Sequence, residues 1–193
     1  MVKLIDILKQ TLREETYDLD YDGYPEDSKE YEKISPETIK KINSRDRIVL
    51  GTRDNIDLNF KVPPSRIGYK PTGLWYGFGT SWIDFIRQEM PDRETEHVFK
   101  IEVEYNSEDM ITIHNDKTFL WFSKRFKDPE NEGRFGNHKI NWPEVTKKYK
   151  GIEFPEYFSK YRRDPEHEWY YPWDVASGCI WDLSAIKKVD KLQ

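Results

Sequence analysis

Apolar positions recur along the chain at two periods, and the period sets the element. In VKLIDILKQTLREE (2–15), Leu4, Ile5, Leu8 and Leu12 fall at helical spacing. In HVFKIEVEY (97–105), Phe99, Ile101, Val103 and Tyr105 alternate with Val98, Lys100, Glu102 and Glu104, the two-residue period of a strand. MITIHN (110–115) comes after NSED and is predicted to pair with that strand as a hairpin. RIVLGT (47–52) sets Ile48, Val49 and Leu50 in a row, the pattern of a strand buried on both faces. GLWYG (73–77) reads as another short strand. TSWIDFIRQEM (80–90) then reads as a helix with Trp82, Phe85, Ile86 and Met90 on its apolar face.

End signals sharpen these elements. Ser35 caps a short helix in SPETIKKINS (35–44), with Pro36 at the first helical position, where a backbone N–H is not needed. Thr80 or Ser81 caps the 80–90 helix; Asp84 stands three after Ser81, the spacing of a capping box, and Pro91 is the stop. Asp116 is the expected cap of a helix over DKTFLWFSKRF (116–126). Asn141, Pro143 and Glu144 open a helix in NWPEVTKKYKG (141–151), and Gly151 closes it. GIEFPEY (151–157) and SGCIW (177–181) are further strands, and LSAIKKV (183–189) leads to the C-terminus. The order gives an α+β class without βαβ alternation. The expected division is an N-terminal helical segment and acidic linker over 1–46, including YDLDYDGYPEDSKEYEK (17–33), and one globular unit over 47–193.

Composition changes what the core is made of. Of 193 residues 36% are apolar, yet 15% are aromatic, so Trp, Tyr and Phe must supply much of the buried area. The net charge of −5 argues against a dedicated nucleic-acid binder. Lys124-Arg125-Phe126-Lys127 and Lys160-Tyr161-Arg162-Arg163 read as solvated faces. A lone cysteine, Cys179, excludes a disulfide within the chain, and no apolar run is long enough to span a membrane. The expectation is a cytoplasmic protein without a membrane partner.

The chemistry narrows by elimination. His97, His114, His138 and His167 lack metal-ligand spacing, so no metal site is expected. GFGTSW is not a phosphate-binding Walker loop, and no Gly-x-Ser-x-Gly elbow is present. Two features remain. KPTGLWYGFGTSW (70–82) sets bulky aromatics beside glycines just before a helix, the makings of a pocket that grips a flat ring. Glu153 lies between Ile152 and Phe154, so if those two face the core it takes the other side of the sheet. There a carboxylate hydrogen-bonds a sugar hydroxyl and stabilises positive charge developing on an anomeric carbon. The plain alternative is a surface glutamate on an edge strand. Glu156 and Asp174 are rival carboxylates.

The order of these parts resembles the ADP-ribosyltransferase superfamily in general plan, including its poly(ADP-ribose) polymerase branch and a phage- or virus-type branch. Leu50-Gly51-Thr52 stands where the family has a strand ending in His-Gly-Thr/Ser or Arg-Gly. Gly73-Leu74-Trp75-Tyr76-Gly77 is similar to its Gly-Ile-Tyr-Phe-Ala strand, with Thr80 and Ser81 at the serine that follows. Glu153 matches the late-strand catalytic glutamate. The resemblance implies a split antiparallel β-sheet around an NAD cleft, flanked by short helices. It implies that NAD is the substrate and that ADP-ribose passes to an acceptor, a glycosyltransferase chemistry. By the same resemblance, Gly51 takes the nicotinamide carboxamide beside Thr52 and Arg53. Gly73 permits close approach, Trp75 or Tyr76 stacks on the ring, Ser81 supports it, and Glu153 holds the nicotinamide ribose. Two positions depart from the family. Leu50 replaces the first-motif His or Arg, with Arg53 the nearest substitute. Gly151 stands where arginine-modifying members have Gln or Glu, which leaves an arginine acceptor without support. Other readings are a non-catalytic carbohydrate- or peptide-binding module with WYYPW (169–173) as its platform, although WYYPW itself reads first as a corner of the core, and a degenerate NAD binder. A third is an RNA phosphate-removing transferase using Arg53, Arg66 and Lys70.

Overall fold

The computed structural model describes residues 34–90, 95–104, 109–131 and 138–193. The helical period at 2–15 and the acidic stretch 17–33 lie outside them. In chain order the elements are α1 (Pro36–Lys40), β1 (Arg47–Gly51), β2 (Leu74–Phe78), α2 (Ser81–Glu89), β3 (His97–Val103) and β4 (Met110–Thr112). They continue with α3 (Asp116–Phe126), α4 (Trp142–Thr146), β5 (Gly151–Phe154), β6 (Ser177–Ile180) and β7 (Ile186–Lys191). Short 3-10 turns occupy Ser159–Tyr161, Pro165–Tyr170 and Leu183–Ala185.

The α+β class is as the sequence order predicts. All seven strands form one hydrogen-bonded sheet in the order β4-β5-β6-β2-β1-β3-β7. Neighbours are antiparallel except β4 and β5, which run parallel. The expected hairpin between β3 and β4 does not form, and the two strands lie in opposite halves of the sheet. The reason is β7, which the sequence pattern gave as a tail: it supplies the outer partner of β3, from Phe99↔Lys191 to Val103↔Ile186. Lys187, Lys188, Asp190 and Lys191 make β7 a charged edge strand, which discourages pairing with another chain.

Helix ends follow local chemistry, with two corrections. Ser35 Oγ accepts from the Thr38 N–H, and Asn141 Oδ1 accepts from the Glu144 N–H, both as expected. The 116–126 helix has its predicted bounds, but its cap is Asn115, in a capping box with Thr118, rather than Asp116. The Ser81–Asp84 capping box is absent: Ser81 Oγ donates to the Ala176 carbonyl, while Thr80 Oγ1 donates to Asp84 Oδ2 at 2.7 Å.

The sheet buries both faces. On one, α3, α4 and the 3-10 turns press Phe119, Phe122, Trp142 and Trp169 against Ile152 and Phe154 of β5. Farther along, Ile34, Ile39 and Ile42 pack with Ile48, Ile83 and Val98, so residues before β1 belong to the same packed unit. The opposite face carries Val49, Leu74, Phe78, Phe99 and Ile101, covered by Ile56, Phe60 and Val62 of the long β1–β2 connection and by Leu183 and Ala185. WYYPW is core, not platform: Trp169, Tyr170 and Trp173 are at most 1% exposed, Pro172 is partly exposed, and Tyr171 points to water. Burying rings of this size outweighs any display role for them.

Candidate active site

Register brings the candidate glutamate into a row that crosses four strands. Thr112 pairs with Glu153, Glu153 with Gly178, and Gly178 with Tyr76. Ile152 and Phe154 enter the aromatic core, so alternation turns Glu153 to the other face, as the pattern predicts. It is not a surface glutamate, being 1% exposed.

Its carboxylate is held on every side. Arg47, the first residue of β1, donates from Nε to Oε2 at 2.9 Å and from Nη2 to Oε1 at 3.2 Å. Tyr76 Oη donates to Oε2 at 2.9 Å, and Thr112 Oγ1 donates to Oε1 at 3.0 Å. The Tyr76 ring reaches Glu153 by lying over Gly178, where a Cβ would stand 2.4 Å from Tyr76 Cζ and Oη. A buried carboxylate without partners is costly by several kcal/mol, and four donors with a guanidinium fork are what make it tolerable.

The partners are tuned by the same burial. Burial, and then the Glu153 charge, push the Tyr76 phenol well above its ordinary pKa, so it stays a neutral donor. Burial works against the Arg47 charge, but Glu153 outweighs it and holds the guanidinium above its ordinary value. The Arg47 guanidinium also sits 5.4 Å from the centroid of the Phe78 ring. Glu153 and Tyr76 are sealed, whereas Arg47 and Thr112 are partly exposed, so solvent meets the cluster at those two side chains.

The other expected site residues scatter. Trp75, one residue from Tyr76, faces the opposite side, edge-on to Trp173 at 4.8 Å and beneath Lys70 Nζ at 4.8 Å. Tyr76 shares the Glu153 face, but at 2% exposure it offers no open ring for stacking. Ser81 is tied to Ala176 and lies beside Gly77, on the Trp75 side of β2. Gly51 ends β1 with its carbonyl accepting from the Glu96 N–H, so that oxygen already has a partner. A Cβ at Gly51 would make only ordinary contacts at 3.8 Å and beyond. Thr52 follows at half-burial and Arg53 is buried at 7% exposure. Gly73 permits close approach of β6: a Cβ there would lie 2.5 Å from the Ile180 carbonyl oxygen.

Of the rival carboxylates, Glu156 is exposed. Asp174 accepts from Arg162 Nη2 at 2.8 Å in a separate cleft of about 340 Å³ beside α2, lined also by Phe85, Glu89, Arg163 and Tyr171. Cys179 is fully buried, and burial pushes its thiol well above the usual range, which removes it as a nucleophile. Among the described residues no group of three or more His, Cys, Asp or Glu could hold a metal ion. No described helix is long and apolar enough to cross a membrane.

Sequence reasoning missed Arg47, Thr112 and Gly178. A cation at the start of an apolar strand reads as a solvated end. The available signal was alternation: Thr112 sits between Ile111 and Ile113 just as Glu153 sits between Ile152 and Phe154. Comparison with protein-family models, with curated proteins and with solved structures gives no match.

Proposed function

We propose that the protein is an NAD-cleaving ADP-ribosyltransferase in which Glu153 is the catalytic carboxylate. One observation carries this reading: an arginine from β1, a tyrosine from β2 and a glutamate from β5 meet on one face of the sheet. The cation that the first motif lacks at Leu50 is present on the same strand, as Arg47. The carboxylate is fixed in place before any substrate arrives, and such preorganisation is what electrostatic stabilisation of a transition state requires.

Thr112 is the hydrogen-bonding partner for a ribose hydroxyl to replace, because it is half-buried and neutral. With a ribose hydroxyl on Oε1, Glu153 stabilises the positive charge that grows on the anomeric carbon and ring oxygen. Nicotinamide leaves with the bonding electron pair of the glycosidic C–N bond, which neutralises its ring. The acceptor forms the new bond to the anomeric carbon and gives its proton to solvent. Arg47 and Tyr76 hold the carboxylate and do not touch the reacting atoms. Burial of WYYPW takes away the platform on which the carbohydrate- or peptide-binding alternative rested.

Binding is tested by thermal unfolding with NAD. At a hundredfold excess over Kd, NAD stabilises the folded chain by about 2.7 kcal/mol, an upward shift of several degrees. No shift with millimolar NAD, in a protein whose spectrum shows it folded, contradicts the proposal.

A further inference from the structure

The outer face of α3 is charged and aromatic in a way the fold does not use. Phe119, Phe122, Ser123 and Phe126 are buried, while Lys117, Leu120, Trp121 and Lys124 stand outward at i, i+3, i+4 and i+7. Leu120 is 45% exposed and Trp121 is 49% exposed. The Arg125 guanidinium lies 5.3 Å from the centroid of the Phe126 ring, and Lys148, just beyond α4, approaches the same ring at 5.9 Å. Both cations and Trp121 thus border the one Phe126 ring, with the Trp121 ring edge-on to it at 6.1 Å. Two acids of these helices are already engaged, Glu144 with Lys147 at 2.5 Å and Asp116 with Lys160. Glu144 is held below its ordinary pKa first by Lys147, with smaller contributions from the Lys148 and Arg125 charges. Among the described residues, Lys117, Lys124, Arg125 and Lys148 have no ion-pair partner.

We propose that this face binds single-stranded nucleic acid, with a base stacked on Trp121 and phosphates on Lys117, Lys124, Arg125 and Lys148. The chain's net charge of −5 argues against a dedicated nucleic-acid binder, but a single basic face is governed by its local field. A half-exposed indole flanked by cations matches a stacking platform in a basic surface, and any base has a face to offer it. Two outward apolar side chains are too few to seat a helix in lipid, which needs a continuous apolar face. An acidic peptide would use the cations and leave the indole without a flat partner. The surface stands apart from Glu153, and the proposal does not depend on NAD chemistry.

The test is fluorescence anisotropy with a labelled oligouridylate of roughly 15 nucleotides, long enough for one site. Four phosphate contacts give a plot of log affinity against log salt with slope about −3. Trp121→Ala, at an exposed position, weakens binding roughly 5- to 150-fold. Lys124→Glu with Arg125→Glu weakens it further and flattens the salt slope by about 0.7 for each cation removed. Lys61→Glu, the same kind of charge change at an exposed residue of the β1–β2 connection, leaves affinity nearly unchanged. No binding at low salt overturns the proposal, and so does equal weakening by Lys61→Glu. Cosedimentation with phosphatidylserine-containing vesicles that is lost in Trp121→Ala, without oligonucleotide binding, also overturns it and assigns the face to a membrane.

Discussion

Gly178→Ala isolates the geometry of the buried cluster, because the three nearest atoms to the added methyl all belong to Tyr76. It would meet Cζ and Oη at 2.4 Å and Cε2 at 2.8 Å. Real carbon contacts do not come so close, and Tyr76 at 2% exposure has no open side to move to. Two effects add. Overpacking a sealed site destabilises by about 1–3 kcal/mol. Displacing the phenol removes its hydrogen bond to a charged carboxylate, worth about 1.5–3 kcal/mol. The expected loss is about 2.5–6 kcal/mol, read as a lower midpoint in urea unfolding at unchanged slope. A double-mutant cycle shows whether the cause is right. Tyr76→Leu removes the atoms that collide, so in that background Gly178→Ala costs less than about 1 kcal/mol. Wild-type stability for Gly178→Ala, or the same cost in both backgrounds, refutes the reasoning.

Arg47→Met leaves Glu153 buried without its cation and is expected to cost about 3–5 kcal/mol in urea unfolding, whereas Arg47→Met with Glu153→Leu recovers much of it. Wild-type stability for Arg47→Met alone contradicts the ion pair's role. A second prediction concerns pH. Burial raises the Asp46 carboxyl, but the Lys100 ammonium at 2.8 Å and the Asn43 amide outweigh it, so the folded-state pKa lies below the ordinary 3.8. A depressed carboxylate contributes stability above its unfolded-state pKa and loses it as pH falls through the folded value. The stability gap between wild type and Lys100→Gln, followed by urea midpoint, therefore shrinks as pH drops below about 4. A gap that stays constant from neutral pH to acid contradicts this.

Local chemistry was legible wherever a residue's neighbours in sequence decide its fate. Ser35 and Asn141 cap as read, and the 116–126 helix keeps its bounds because Asn115 and Thr118 close a reciprocal box within four residues. Alternation around Glu153 correctly separated it from Ile152 and Phe154. What stayed hidden depends on register between distant strands. Arg47 and Glu153 are 106 positions apart, and nothing local announces that β6 will place a glycine between Glu153 and Tyr76. The β3–β4 hairpin was misread for the same reason: proximity in sequence favoured it, but β7 returned from the C-terminus to occupy that edge. WYYPW illustrates the opposite difficulty, since aromatic density alone does not distinguish a recognition surface from a core. Packing by α3 and α4 decided that case.

Nicotinamide release from NAD, followed with Glu153→Gln, Thr112→Ala and Asp174→Asn beside the wild type, tests the central claim most directly. The variants are compared only after their spectra show them folded, and host lysate supplies acceptors. The account predicts release by the wild type, a fall of at least about a hundredfold in Glu153→Gln, and little change in Asp174→Asn. Thr112→Ala keeps its turnover, because its hydroxyl is the group that the ribose replaces. Release that survives in Glu153→Gln, or its absence from a wild type that binds NAD in the presence of acceptors, would contradict the account and leave the Arg47–Tyr76–Glu153 cluster as a structural clamp across the sheet.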